Sequence, residues 1–280
     1  MDTATKYDAL ARFESRFSKQ KQTYAVHKRL RFDAADAGNG IDDLNDWLVK
    51  YFKLKKSDRL LDIGCGTGKT LFTYSEDNDI HGYGISLSQA EITLATNAAK
   101  QLGMTDRCTF SVKSYDEPIP GLFDQMIAIE SLKHSKNLSV TLKNLAQSLN
   151  EEGILIVAED LRTGILPKPF LQKLLLSHWS LVDVYSKADY CVSYGKTGFI
   201  LDQEFDFTHL VKLRKSWWSL CLVYIIQCFK LLIPFSEIRK ILSIFQAGFA
   251  LEYYYKKGFM EYRVLVFKKH GTGLSDEEMI

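Results

Sequence analysis

Several features are scarce in this 280-residue chain, and each scarcity narrows the reading. Its five cysteines, Cys65, Cys108, Cys191, Cys221 and Cys228, form no CxxC pair and show no metal-ligand spacing. They read as free thiols, so a reducing, cytoplasmic setting is expected and no metal site. Charge of one sign is not in excess: Lys and Arg total 36, Asp and Glu 34, for a net charge of +2. That balance gives no support to broad nucleic-acid binding. The opening residues, MDTATKYDALARFES, carry early acids and lack the apolar core of a secretory signal. The apolar run from Trp217 to Ile226 is too short to span a bilayer, and Gln227 and Lys230 interrupt its extension. There is no internal repeat and no low-complexity tract. An apolar content of 46% and a charged content of 25% are ordinary for a globular protein. The length suits one large α/β domain, or a core with a cap.

The chain is organised around Arg59 to Thr70, RLLDIGCGTGKT. Leu60, Leu61 and Ile63 form a short apolar run that predicts a buried parallel strand. Gly64, Gly66 and Gly68 break it, and helix-compatible residues follow. Glycines between a strand and a helix let backbone and helix N-terminus approach a ligand closely. The spacing differs from the dinucleotide fingerprint, and Lys69-Thr70 does not stand where a phosphate loop needs it. With Asp62 two residues ahead, the stretch resembles motif I of the class I S-adenosylmethionine (SAM) dependent methyltransferases.

Further along, Ile80 to Ile85 predicts a second strand, ending at Ser86 within GISLSQAEI. Most class I methyltransferases carry a ribose-binding acid there. This segment is similar instead to the branch holding tocopherol, sterol and cyclopropane-fatty-acid methyltransferases, where a hydroxyl residue takes the acid's place. The same residues also read as a helix start, with Ser88 as cap and Glu91 at the third position. Glu91 to Leu102 predicts a helix ended by Gly103, Cys108 to Val112 a third strand and Phe123 to Ile129 a fourth. Leu138 to Leu149 predicts a helix, Asn150 to Gly153 a turn and Ile154 to Ala158 a fifth strand, in a stretch similar to the family's motif III. Residues 161–199 read as irregular, punctuated by Pro167, Pro169, Gly195 and Gly198. Gly198 to Phe207 predicts the sixth strand and Gly258 to Lys269 an antiparallel seventh.

The resemblance runs from about Leu60 to Asp160 and again from Gly198 to Lys269. It implies an α/β fold: a Rossmann-like, seven-stranded, mostly parallel sheet with an antiparallel last strand, a helical N-terminal cap and a helical lid insertion. The expected divisions are a cap at 1–50, a SAM-binding core at 51–165, a substrate and lid region at 166–259, and a last strand and tail at 260–280. The resemblance also implies SAM as cofactor, with S-adenosylhomocysteine as product. Cofactor contacts are expected from Asp62, Gly64, Cys65, Gly66, Gly68, Ser86, Leu87, Gln89, Ser114, Tyr115, Asp116 and Glu130. Ligands of parallel sheets sit beyond the carboxyl ends of the strands, and Glu130 and His134 follow such an end. They are the catalytic candidates, although each could instead serve backbone bonding or helix capping.

For the acceptor, Tyr24, His27 and Lys28 lie in a basic, aromatic stretch, TYAVHKRLRF, which fits either an anion site or a solvated helix face. Trp217 and Tyr254 are candidates from the apolar segment and from the helix after it. The segment around 216–233 fits a lid, an interface between copies or a membrane-surface contact. The expected activity is methyl transfer to a hydrophobic small molecule, carbon methylation of an isoprenoid or lipid-like acceptor first. A prenyl diphosphate, with Mg²⁺, stays open. The alternatives are O- or N-methylation of a hydrophobic metabolite and a non-catalytic SAM-binding protein. The absence of an NPPY-type motif argues against a nucleic-acid acceptor.

Overall fold

The computed structural model describes residues 3–5, 7–8, 11, 28, 30–33, 35–36, 43–214 and 218–269. Its centre is a seven-stranded sheet in the order β3-β2-β1-β4-β5-β7-β6. The strands are β1 (Arg59–Ile63), β2 (His81–Ser86), β3 (Cys108–Val112), β4 (Phe123–Ile129), β5 (Leu149–Arg162), β6 (Phe199–Asp206) and β7 (Met260–Lys269). The first five pair in parallel, and β7 runs antiparallel to both β5 and β6. The expected sheet is therefore the one that forms.

Helices cover both faces. They are α1 (Leu44–Tyr51), α2 (Lys69–Asp77), α3 (Gln89–Gln101), α4 (Leu138–Ser148), α5 (Pro169–His178), α6 (Lys187–Gly195), α7 (Ser219–Leu232) and α8 (Ser236–Lys256). Successive strand residues point to opposite faces, so Leu60 and Leu61 enter different cores. Leu60 joins Leu48, Leu71, Ala98, Leu175 and Tyr254. Leu61 joins Leu142, Leu145, Tyr190 and Tyr194. Covering both faces explains why the parallel strands read as continuous apolar runs.

Two regions depart from the sequence expectation. Asn150 to Gly153 is not a separate turn: β5 starts at Leu149, and the pairing with β4 shifts register between Phe123 and Gln125. The extra residues bulge within one strand. Residues 161–199 hold two helices. Pro169, read as punctuation, occupies the first turn of α5, where a proline costs no hydrogen bond. In α6, Ser186 accepts from the Asp189 N–H and Asp189 bonds back, a complete capping box.

Candidate active site

A cavity of about 240 Å³ opens at the carboxyl ends of β1, β2 and β4. The strand order reverses between β1 and β4, which is where open parallel sheets bind ligands. Gly64, Gly66 and Gly68 all have positive φ. A Cβ at Gly64 would lie 2.5 Å from Ser131 Cβ, so glycine is required to pack the two loops together. At Gly66 a Cβ would meet no protein atom within 4 Å, although φ is +50°. That backbone is open toward the cavity it lines.

Asp62 lies beneath this loop and is buried. Its Oδ2 has no hydrogen-bond partner among the described residues. Burial pushes its pKa up to about 7, against a smaller lowering by the Thr70 hydroxyl. At the end of β2, Ser86 Oγ donates to Glu91 Oε2 at 2.7 Å and accepts from the Ser88 N–H at 3.1 Å. Ser88 caps α3, accepting from the Glu91 N–H. The Glu91 carboxylate thus stands beside Ser86 in the cavity wall. An open glycine loop and an unsatisfied buried carboxylate fit a ligand that carries positive charge and presses on the backbone, as SAM does.

The opposite wall follows β4. Glu130 is a non-glycine residue at φ +51°, a conformation that costs about 1–3 kcal/mol and persists where the surroundings fix it. Its N–H donates to Ala158 O at 2.8 Å, and its Oε1 accepts from the Lys28 N–H at 2.9 Å. A 3₁₀ turn, Leu132–His134, carries His134 into the cavity. His134 Nε2 shares a 2.9 Å hydrogen bond with the Tyr7 hydroxyl, and the rings meet edge to face. Burial raises the Tyr7 pKa far above its usual value.

Behind Glu130 sits a buried charge cluster. Lys133 Nζ lies 2.9 Å from Glu159, 3.1 Å from Asp160 and 3.7 Å from Glu130. Lys28 Nζ pairs with Asp160 at 3.0 Å, and the Tyr255 hydroxyl donates to the same carboxylate. Burial alone would raise the Asp160 pKa, but the two lysines hold it well below the usual range. Glu159 is pushed up to about 7 by burial, only partly offset by Lys133.

The structure brings together Asp62, Gly64, Cys65, Gly66, Ser86, Leu87, Tyr115, Glu130 and His134 in the cavity lining. Gly68 starts α2 just behind the loop. Gln89 does not join them: it is exposed and its amide bonds Thr93. Ser114 Oγ accepts from the Asp116 N–H, and Asp116 accepts from Ser135 and Thr141, so both serve the loop rather than the lining. Tyr254 is fully buried, donates to Pro167 O and lies away from the lining; its neighbour Tyr255 is the one that reaches the charge cluster. Lys28 is held by Asp160 and Glu130 rather than presented to an anion. Tyr24, His27 and Trp217 lie outside the described residues. Sequence reasoning missed Tyr7, Lys133, Glu159 and the cavity-facing role of Glu91. Tyr7 meets His134 across 127 positions, a separation that no local pattern encodes.

Residues 54–208, more than half of the chain, match the family model described as a methyltransferase domain. The 27-O-demethylrifamycin SV methyltransferase of Amycolatopsis mediterranei (strain S699) is 33% identical over 128 residues, 45% of this chain and 46% of its own. A Pseudomonas putida protein named probable fatty acid methyltransferase is 29% identical over 117 residues, 41% of this chain and 30% of its own. The matches therefore span less than half the length of these two relatives. The solved geranyl diphosphate C-methyltransferase of Streptomyces coelicolor A3(2), in complex with Mg²⁺, geranyl diphosphate and S-adenosyl-L-homocysteine, superposes with a TM-score of 0.68. It shares 14% identity over 95% of this chain and 96% of its own, a likeness that speaks to fold alone. The glycine loop at the sheet's switch point and the family match lead to one conclusion: this chain belongs to the class I SAM-dependent methyltransferases.

Proposed function

We propose that the chain methylates a hydrophobic small molecule, at carbon, on an isoprenoid or lipid-like acceptor. The observation that carries this reading is the composition of the wall facing the glycine loop. Tyr7, Tyr115, Ile129, Trp179 and Ile244 supply aromatic and aliphatic surface, and Glu130 and His134, with Ser131 and Lys133 between them, are set into it. Bound SAM would supply an electrophilic sulfonium methyl, leaving the protein to bind, align and exclude water. Methylation of an alkene or aromatic carbon generates a cation. Aromatic faces and a nearby carboxylate steady such a charge, and a base must then take a proton. In this reading Glu130 steadies the charge and His134, held by the Tyr7 hydroxyl, takes the proton.

On the cofactor side, Asp62 would face a cationic group of SAM, and Gly66 and Leu87 would allow close approach. Ser86 and Glu91 together occupy the place of the ribose-binding acid, the carboxylate arriving from the first turn of α3. The lining includes the acids Asp62, Glu91 and Glu130 against Lys69 and Lys133, and Lys133 is already paired with three carboxylates. That balance favours an uncharged acceptor over a diphosphate, and no group of His, Cys, Asp and Glu among the described residues forms a metal site. O-methylation is the second reading, because an imidazole in hydrogen-bond contact with a phenol can also deprotonate a hydroxyl acceptor.

The test is incubation with methyl-labelled SAM and an extract of the source organism, followed by solvent partition and fragmentation. Carbon methylation predicts label in an apolar product, stable to acid and alkali and located on carbon. Label released by alkali would move the assignment to an ester. Label that becomes organic only after phosphatase would move it to a prenyl diphosphate.

A further inference from the structure

Helix α7 has an inverted polarity. Its polar side chains face inward: Lys230 Nζ donates to Gln246 Oε1 at 3.0 Å, and Gln246 Nε2 donates to Gln227 Oε1 at 3.0 Å and to Val223 O at 2.9 Å. Lys256 of α8 reaches back to Ser219 Oγ at 2.8 Å. Gln246 is fully buried. The outward side carries Tyr224, Ile225, Cys228, Phe229, Leu231 and Leu232, with no charged residue among them. Exposure climbs toward the turn into α8, from 58% at Phe229 to 80% at Leu231 and Leu232, and is 66% at Phe235. Ile238 and Phe245 continue the apolar surface along α8, and Tyr224 stacks on Phe170 of α5. A helix facing water carries the opposite pattern, and contiguous exposed apolar surface of this kind marks a contact.

We propose that the α7–α8 hairpin docks on a membrane surface, inserting its apolar tip into the interface of a bilayer that contains anionic lipid. Two observations select this occupant. The first is charge: from 231 to 251 the sequence carries Arg239 and Lys240 against the single acid Glu237. Arg239 and Lys240 are exposed on the first turns of α8, directly behind the tip, where they would meet anionic headgroups. The second is shape: within this patch the most exposed apolar residues, Leu231, Leu232 and Phe235, gather at the turn between the two helices. No helix among the described residues is long and apolar enough to cross a membrane, so the docking proposed is at the surface. Helix α8 also contributes Ile244 to the cavity lining, and the Trp179 indole donates to Ile244 O at 3.3 Å. The element that would rest on the lipid is therefore also a wall of the active site. Docking goes beyond methyl transfer and holds for any acceptor.

The test is co-sedimentation of the full chain with vesicles of phosphatidylcholine, with and without phosphatidylglycerol. The expected result is binding to the anionic vesicles that weakens at high salt. The double variant Leu231→Ser/Leu232→Ser alters exposed residues only, so the fold is retained, and binding falls about tenfold or more. Arg239→Glu/Lys240→Glu removes the preference for anionic lipid. Unchanged calorimetric binding of S-adenosylhomocysteine in each variant reports an intact fold without requiring turnover, so failure here is separable from failure of the acceptor assignment. A wild-type chain that stays in the supernatant with both vesicles overturns the proposal, as does a double variant that sediments like wild type. A dimer in sedimentation velocity that disperses in the double variant, without vesicle binding, assigns the face to a second copy instead.

Discussion

Asp62 and Glu130 are two carboxylates in one cavity under opposite constraints. Asp62 is buried, with one oxygen unsatisfied among the described residues, and its pKa is raised to about 7. A carboxyl whose folded pKa lies above its unfolded value binds more protons when folded. Its contribution to stability is therefore greatest below the unfolded value, near 4, and declines as pH rises to about 7. A cationic ligand reverses the preference, since the ionised form then gains a partner. S-adenosylmethionine binding is expected to tighten as pH rises through about 7, and Asp62→Asn to flatten that dependence relative to wild type, as calorimetric titrations at several pH values would show. Glu130 is instead held by the Lys28 N–H and by Lys133. Glu130→Gln is expected to cost at least about tenfold in turnover, about 1.4 kcal/mol, while SAM binding persists. Single-turnover rates and binding measured on the same preparation separate these effects, and near-native turnover would make Glu130 structural.

At the scale of elements, legibility followed how local the signal was. Strands β1, β3 and β4 were readable because each is a short apolar run bounded by polar or glycine residues. Helix α3 was readable from its Ser88 cap, but the neighbouring Gln89 was assigned to the wrong side: in the first turn of a helix, one position rotates a side chain by about 100°. Helices α5 and α6 were hidden because Pro169 and Gly195 looked like breaks, although proline opens helices and glycine closes them. The Ser186–Asp189 capping box was a usable signal left unread. Ser186→Ala is expected to destabilise the protein by about 1 kcal/mol, visible as a lower urea midpoint with an unchanged slope. An unchanged midpoint would mean that α6 is fixed by Tyr190 and Tyr194 packing alone.

Across the whole molecule, the cavity residues that sit at strand ends were legible and those brought in from distant segments were not. The glycine loop, Ser86 and Glu130 lie within short sequence windows at strand ends. Tyr7, Lys133 and Glu159 are joined only by folding, Lys133 contacting Glu159 and Asp160 of β5 and Glu130 just after β4. Tyr254 stands in a run of three tyrosines, 253–255, and helical geometry delivers Tyr255 to Asp160 instead. The N-terminal residues that are described close over the cavity through Tyr7, and through Asp8, which accepts from Ser88 and from the Ala90 N–H at the start of α3. Tyr7→Phe is therefore expected to lower turnover several-fold with little change in S-adenosylhomocysteine affinity, since it loosens His134 and leaves the glycine loop intact; steady-state rates paired with calorimetry would show whether the two separate.

The central claim, that the cavity under the glycine loop holds the cofactor, is tested most directly by calorimetric titration of S-adenosylhomocysteine into wild type and Gly66→Val. Gly66 combines a φ of +50° with open space where its Cβ would point, so valine both strains the loop and fills the approach to the backbone. One-to-one binding to wild type and none to Gly66→Val is expected, with the variant still cooperatively folded by thermal melting. Equal affinity for both proteins would place the cofactor elsewhere and contradict this claim.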